Sequence, residues 1–303
     1  MSDQQEKSSQ APKENRVQGK SLRKQVPRSS HGDWAPAADR PDPLSLLQQQ
    51  DKGRIQQLLP IKYGRMMASP FAFLRGSAVV MASDLASTPA TGLGVTLCGD
   101  AHLSNFGIFA TPERDVVFDV NDFDEAYPGP WEWDLKRLAA SAVVAGRGNG
   151  FDDKTCQNLA ATVAKAYRAA MGRLAGKTNL DVWYYHVDAE SVVKLFDKYA
   201  HKSAKQVKKT VKKARSHTTA HTMDKLTEVV DGKRQIKSAP PLVVRLSELL
   251  TEDQKKEAES HGEIKKAWQE YLNSLPEERR VLLKRYHMTD SALRVGGVGS
   301  VGT

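Results

Sequence analysis

Gly99, Asp100, Ala101, His102, Leu103, Ser104 and Asn105 form the densest polar cluster of the chain and directly follow the apolar run Val95-Thr96-Leu97. A second cluster, Asn121-Asp122-Phe123-Asp124-Glu125, comes after the run Val116-Val117-Phe118, with Asp122 seventeen residues beyond Asn105. Acids and an Asn at the ends of neighbouring short strands can converge on one point. Phosphoryl transfer needs such a set: a carboxylate to take the acceptor's proton, and an amide oxygen with a second carboxylate to hold magnesium. Asp100 is the candidate base, and its five-residue spacing to Asn105 puts the amide one loop turn away. Taken singly, Asp100 reads as a turn cap and His102 as a core histidine; the pairing of two spaced motifs is what favours a site. Gly297, Gly299 and Gly302 fit Gly-x-Gly-x-x-Gly, the spacing that lets a backbone approach phosphates closely, although the pattern alone is weak.

The elements that must position these residues can be read from patterning. Residues 1–40 are rich in Gln, Ser, Lys, Arg and Pro with few branched apolar residues, so they are expected to form a disordered arm. Order is expected from Asp42-Pro43-Leu44 onward, through a region of strands and turns that lasts to Tyr127. Beyond Trp133 the pattern turns helical. Asp134 is placed to cap a helix whose face carries Leu135, Leu138, Ala139, Ala142 and Val143, and Gly146 with Gly148 would end it. Further helices are expected over Asp153–Leu174, the lysine-rich stretch, about 247–273 and about 276–287. Trp131 and Trp133 read as core anchors.

Of the nine net positive charges on the 303 residues, seven lie between Lys202 and Arg215, where no acid occurs. Ala204, Val207, Val211 and Ala214 fall on one side of that helix and the lysines on the other. A solvated face is the plain reading; weak polyanion binding through Lys205, Lys208, Lys209 and Lys212 is the functional one. Cys98 and Cys156 are too few for a disulfide framework or a four-ligand zinc site, so a reduced, cytoplasmic setting is expected. No apolar run approaches the length of a membrane span, about 18 residues.

Cys98 through Asn105 resembles the His-Gly-Asp-x-His-x-x-Asn catalytic loop of aminoglycoside and choline phosphotransferases, with Cys98 in place of the leading His. Asn121 to Asp124, then Gly129-Pro130 and Asp134-Leu135, resembles their metal loop and the Asp-Leu that opens a helix. More closely, residues from about Pro60 to Thr303 resemble the bacterial domain-of-unknown-function family 2252. Arg65-Met66, Ser69-Pro70-Phe71, Arg75-Gly76, Pro130-Trp131-Glu132-Trp133-Asp134 and the terminal Gly-Val-Gly-Ser-Val-Gly-Thr carry that likeness. The resemblance implies an α+β, protein-kinase-like fold with a mainly helical second half, residues 151–293, after a catalytic-loop region over 41–150. It implies ATP and Mg2+ or Mn2+ as cofactors, Asp100 as catalytic base, and Asn105 and Asp122 as metal ligands, with Asp124 able to support a further ion. Gly297, Gly299 and Gly302 would line the nucleotide phosphates, and Asp134 would be a structural acid.

In that family the glycine motif is followed by a lysine-bearing segment. The chain ends before one, so residues 294–303 are expected to be a truncated, mobile tail and the nucleotide lobe incomplete. The expected activity is transfer of phosphate from ATP to a small-molecule hydroxyl or amine, with this chain binding ATP poorly. A non-catalytic scaffold holding a polyanion and a metal-dependent phosphoesterase are the alternatives; the second lacks an Asp-x-His partner on another strand. Arg65 and Arg75 fit either phosphate binding or ordinary ion pairing.

Overall fold

The computed structural model describes residues 12–111, 113, 115–216, 219–249, 262–299 and 301–302. The fold is α+β, with helices dominating and strands only in small antiparallel sheets. Two compact units divide the chain: residues 1–216 with 297–303, and residues 217–296.

The first unit opens with a helix where the composition predicts none, α1 (Pro12–Gln25). Local terms carry it: Pro at the first position, Glu14 in the first turn, and Arg23 and Lys24 in the last, each suited to the helix dipole. The Arg40 guanidinium then grips the Asp84 carboxylate at 2.5 and 2.8 Å, so the expected disorder does not extend to this segment. Residues 1–11 lie outside the described residues.

Helices also replace the strands and turns expected before residue 90: α2 (Pro43–Asp51), α3 (Leu59–Met66), α4 (Pro70–Arg75) and α5 (Ala78–Ala86). The Pro residues that look like turn signals stand at helix starts in α2, α3 and α4, where the missing N–H costs nothing. Asp42 and Ser69 cap two of these helices, accepting from Ser45 N and Ala72 N.

Strands begin at β1 (Gly94–Leu97), which pairs with β4 (Tyr127–Pro130). The hairpin of β2 (Phe106–Ala110) and β3 (Val116–Val120) forms a separate sheet, extended by β5 (Val187–Asp188). The long helices α6 (Glu132–Gly148) and α7 (Asp153–Leu174) follow β4, with Trp131 stacked on Tyr167 between them. Then come α8 (Asn179–Trp183), α9 (Ala189–Tyr199) and the basic α10 (His201–Ser216). Val211 packs with Val116 and Ala189, flanked by Val207 and Ala214, while Lys205, Lys208, Lys209 and Lys212 are exposed as expected.

Residues 217–296 interrupt the expected helical half with two antiparallel pairs. The first is β6 (Thr227–Val230) with β7 (Lys233–Ile236); the second is β8 (Val243–Arg245) with β9 (Ala292–Arg294). The helices here are α11 (Thr219–Leu226), α12 (Leu246–Leu249), α13 (Glu263–Ser274) and α14 (Glu277–Leu283). The helix expected over 247–273 is described only at its two ends, because residues 250–261 lie outside the described residues.

A buried ionic knot fastens the C-terminal tail to the first unit. Asp51 accepts from Lys62, which is fully buried, and from Tyr63 Oη at 2.5 Å, with Arg54 Nε 3.5 Å away. The same Arg54 donates to Val301 O at 2.8 Å, and Ile55 N donates to Gly302 O at 2.8 Å. Val301 is wholly buried, and Val298 joins Leu47, Met66 and Val80 in the core. Residues 297–299 and 301–302 are therefore packed in place, contrary to the mobility expected of a truncated tail: Val298 enters the apolar core and Val301 is buried.

Burial alone would raise the Asp51 pKa, but hydrogen bonds from Lys62 and Tyr63 outweigh it and hold the carboxyl below its ordinary value. Its stabilising contribution is thus complete above the unfolded carboxylate pKa, about 4, and is lost as pH falls through the lowered folded value. Asp51→Asn should cost about 3–5 kcal/mol near pH 7 by urea unfolding, since it leaves Lys62 buried and uncompensated. That deficit should shrink below about pH 4. A deficit constant from pH 7 to pH 2 would contradict the assignment.

Candidate functional site

The two acidic motifs are joined by the β2–β3 hairpin. Asn105 precedes β2, Asn121 follows β3, and Asn121 N donates to Asn105 O at 3.1 Å, extending the ladder beyond Phe106 opposite Val120. The sequence pattern marks β3 but not β2, and places the two motifs on neighbouring strands β1 and β3; the structure puts those strands in separate sheets. Hairpin closure, not β1, brings the motifs together.

Helix α6 then holds the 98–103 loop residue by residue. Asp134, Arg137 and Ser141, at three- and four-residue spacing, share one helix face. The Asp134 carboxylate accepts from Cys98 N at 2.7 Å and Gly99 N at 3.1 Å. Arg137 Nε donates to Asp100 Oδ1 at 2.5 Å, and its other branch reaches Leu74 O at 2.7 Å. Ser141 Oγ accepts from Leu103 N at 3.1 Å. Asp134 is thus no helix cap: α6 already starts at Glu132, and the carboxylate turns aside to satisfy loop amides. Only glycine fits at position 99, where φ is +80° and a Cβ would lie 1.9 Å from Glu125 O.

These constraints shape one cavity of about 200 Å³ lined by Asp100, Asn105, Asp122, Asp124, Glu125 and Arg75, among others, and by the backbone of Gly297 to Gly299. The predicted base and the three predicted metal ligands all line it. Asp100 is buried, its Oδ1 occupied by Arg137 and its Oδ2 3.4 Å from His102 Nε2. Asn105 is 3% exposed; its Nδ2 donates to Asp100 O at 3.0 Å and Asp122 O at 3.1 Å. That orientation leaves Oδ1 buried with no hydrogen-bond partner, an unusual state for an amide oxygen. Burial raises the Glu125 pKa, and the charges of Asp100, Asp122 and Asp124 raise it further.

Four carboxylates face two guanidinium groups, Arg75 in the cavity and Arg137 behind Asp100, which leaves negative charge in excess. Beside the unpartnered His102 Nδ1, the ligand atoms this cavity offers are carboxylate and amide oxygens, the kind a hard divalent cation takes. Among the described residues no three His, Cys, Asp or Glu side chains form a cage by themselves. A cation here would therefore rely on one or two carboxylates, Asn105 Oδ1, water and ligand oxygens, as magnesium commonly does.

A model of a family described as uncharacterised protein conserved in bacteria, DUF2252, matches residues 54–303, and so spans the whole cavity. The chain belongs to the DUF2252 family. No curated protein and no solved structure matches it.

Within this DUF2252 domain the terminal glycines divide. Gly297 and Gly299 line the cavity, but Gly302 sits against Arg54 and Ile55, where its +79° φ and its carbonyl serve packing. Gly302, unlike the other two, is not among the residues that line the cavity. Burial, with help from the nearby carboxylates of Asp134, Asp100 and Glu125, pushes the Cys98 thiol up to about 11, which disfavours the reactive thiolate. Sequence reading missed Arg137 and Ser141 because it followed the apolar face of α6; the polar stripe Asp134, Arg137, Ser141 was the available signal. No helix of the described residues is long and apolar enough to cross a membrane.

Asp134→Asn keeps the volume but supplies an N–H where the loop needs acceptors. It should cost about 1–3 kcal/mol and speed hydrogen exchange at the Cys98 and Gly99 amides. Unchanged exchange at both amides would mean that Asp134 does not hold the loop.

Proposed function

We propose that the cavity is the active site of a kinase-like phosphotransferase that moves the terminal phosphoryl group of ATP to a hydroxyl or amine of a small molecule. The observation that carries this reading is the buried, partnerless Asn105 Oδ1 in a cavity shared with Asp100, Asp122 and Asp124. An orphaned amide oxygen beside excess carboxylate is what a bound cation would satisfy. Mg2+ or Mn2+ held by Asn105 and Asp122, with Asp124 in reach, would neutralise charge on the transferring phosphate.

The chain's own residues supply the rest. Asp100 takes the proton of the acceptor hydroxyl or amine as that group attacks the terminal phosphorus and the bond to the bridging oxygen breaks, releasing ADP. Because Arg137 occupies Oδ1, Oδ2 is the oxygen that receives the proton, and Arg137 fixes its direction. The backbone at Gly297 and Gly299 gives phosphates a wall without side chains. The exposed lysines of α10 offer a separate, weaker contact for polyanions, outside the cavity.

Mg2+ or Mn2+ should raise the thermal midpoint of the protein by mass action. Asp122→Ala should abolish that shift with little change in metal-free stability, whereas Asp100→Asn should keep it and lose turnover. A full metal response in Asp122→Ala would remove Asp122 from the ligand set.

A further inference from the structure

A site that handles phosphate is served by a cation that faces the phosphoryl oxygens, and among the described residues no lysine lines the cavity. Of the basic side chains around the cavity, Arg137 is committed to Asp100 and Leu74 O, and Arg65 to Gly297 O. Arg75 is different. It lines the cavity, yet among the described residues it makes no ion pair and no side-chain hydrogen bond, although four carboxylates line the same space. Its Nε is buried without a partner.

Backbone donors stand in the same state. The amides of Gly297, Val298 and Gly299 donate to no group among the described residues, and Gly297 has φ +55°. The tail lies directly on Arg75: a Cβ at Gly299 would sit 3.0 Å from Arg75 O and 3.8 Å from Glu125 Oε1. Unpaired amides beside an unpaired guanidinium form an anion receptor, because a planar fork and N–H groups match two oxygens of a phosphate.

We propose that Arg75 and the free amides of Gly297–Gly299 are the phosphate-binding subsite of the cavity, with Arg75 in the role that a lysine fills in kinase-like sites. The ligand class is a terminal phosphate of a polyphosphate, entering the cavity that Arg75 shares with the carboxylates. This deepens the phosphotransferase reading and rests on it. It also assigns the purpose of the packed tail, since Val298, seated among Leu47, Met66 and Val80, holds the glycine wall in place while its amides stay unsatisfied.

Calorimetry on the full chain with pyrophosphate, and separately with Mn2+ alone, tests the subsite. Arg75→Gln should weaken pyrophosphate by about tenfold to a hundredfold while leaving Mn2+ affinity equal or tighter. Arg75→Lys, which keeps the charge but loses the fork, should fall between the two and guards against a folding defect in the first variant. Pyrophosphate affinity in either variant equal to wild type, or wild type that binds Mn2+ but no pyrophosphate, overturns the proposal. Should wild type bind no Mn2+ yet lose pyrophosphate with Arg75→Gln, the subsite stands and the metal-dependent reading fails.

Discussion

The Arg137–Asp100 pair, buried at the centre of a polar stripe on α6, is the interaction on which the site depends. Arg137 is 3% exposed and Asp100 7%, so neither charge has water to fall back on. Each fixes the other, and the second branch of Arg137 ties both to the end of α4 at Leu74 O. With Asp134 and Ser141 on either side, α6 satisfies loop atoms from Cys98 to Leu103 in register. A loop without regular structure is thereby fixed by side-chain hydrogen bonds, and Asn105 is delivered to the hairpin that brings Asp122 beside it.

A second buried ionic arrangement positions the tail. Asp51, Lys62, Tyr63 and Arg54 form a knot whose outer bond, Arg54 to Val301 O, holds the chain terminus in the first unit. Replacing such a pair by apolar residues often leaves stability unchanged, whereas the hydrogen bonds of Arg54 and Ile55 to the tail carbonyls fix where the tail lies. That anchoring places Gly297 and Gly299 at the cavity while Gly302 does only packing. One motif, Gly-x-Gly-x-x-Gly, thus divides between two jobs that its spacing does not distinguish.

Elements with a strong period of their own were legible in the sequence. The helix expected over Asp153–Leu174 has those bounds, and the basic helix buries Ala204 and Val211 and exposes its lysines. The two acidic motifs were legible as well, and the cavity gathers Asp100, Asn105, Asp122 and Asp124. What escaped were features decided by tertiary partners. Prolines 43, 60 and 70 signal turns until they are seen at helix starts, two of them behind the capping side chains of Asp42 and Ser69. Strand β2, Phe106–Ala110, is short and lacks β-branched residues apart from Ile108, so only pairing with β3 defines it. Arg137 on a helix face reads as solvated until Asp100 is beside it. The tail's valines had no visible core to enter until α2, α3 and α5 were folded around Val298.

The central claim is that the two acidic motifs and the glycine tail form one cation–phosphate site. Paramagnetic line broadening tests it most directly: substoichiometric Mn2+ with pyrophosphate is added to 15N-labelled protein, and amide signals are followed. The account predicts that Asn105, Asp122 to Glu125 and Gly297 to Gly299 broaden together, and before the amides of α10 or of residues 219–249. Broadening around Asp122 and Asp124 that leaves Asn105 and Gly297 to Gly299 sharp would contradict it.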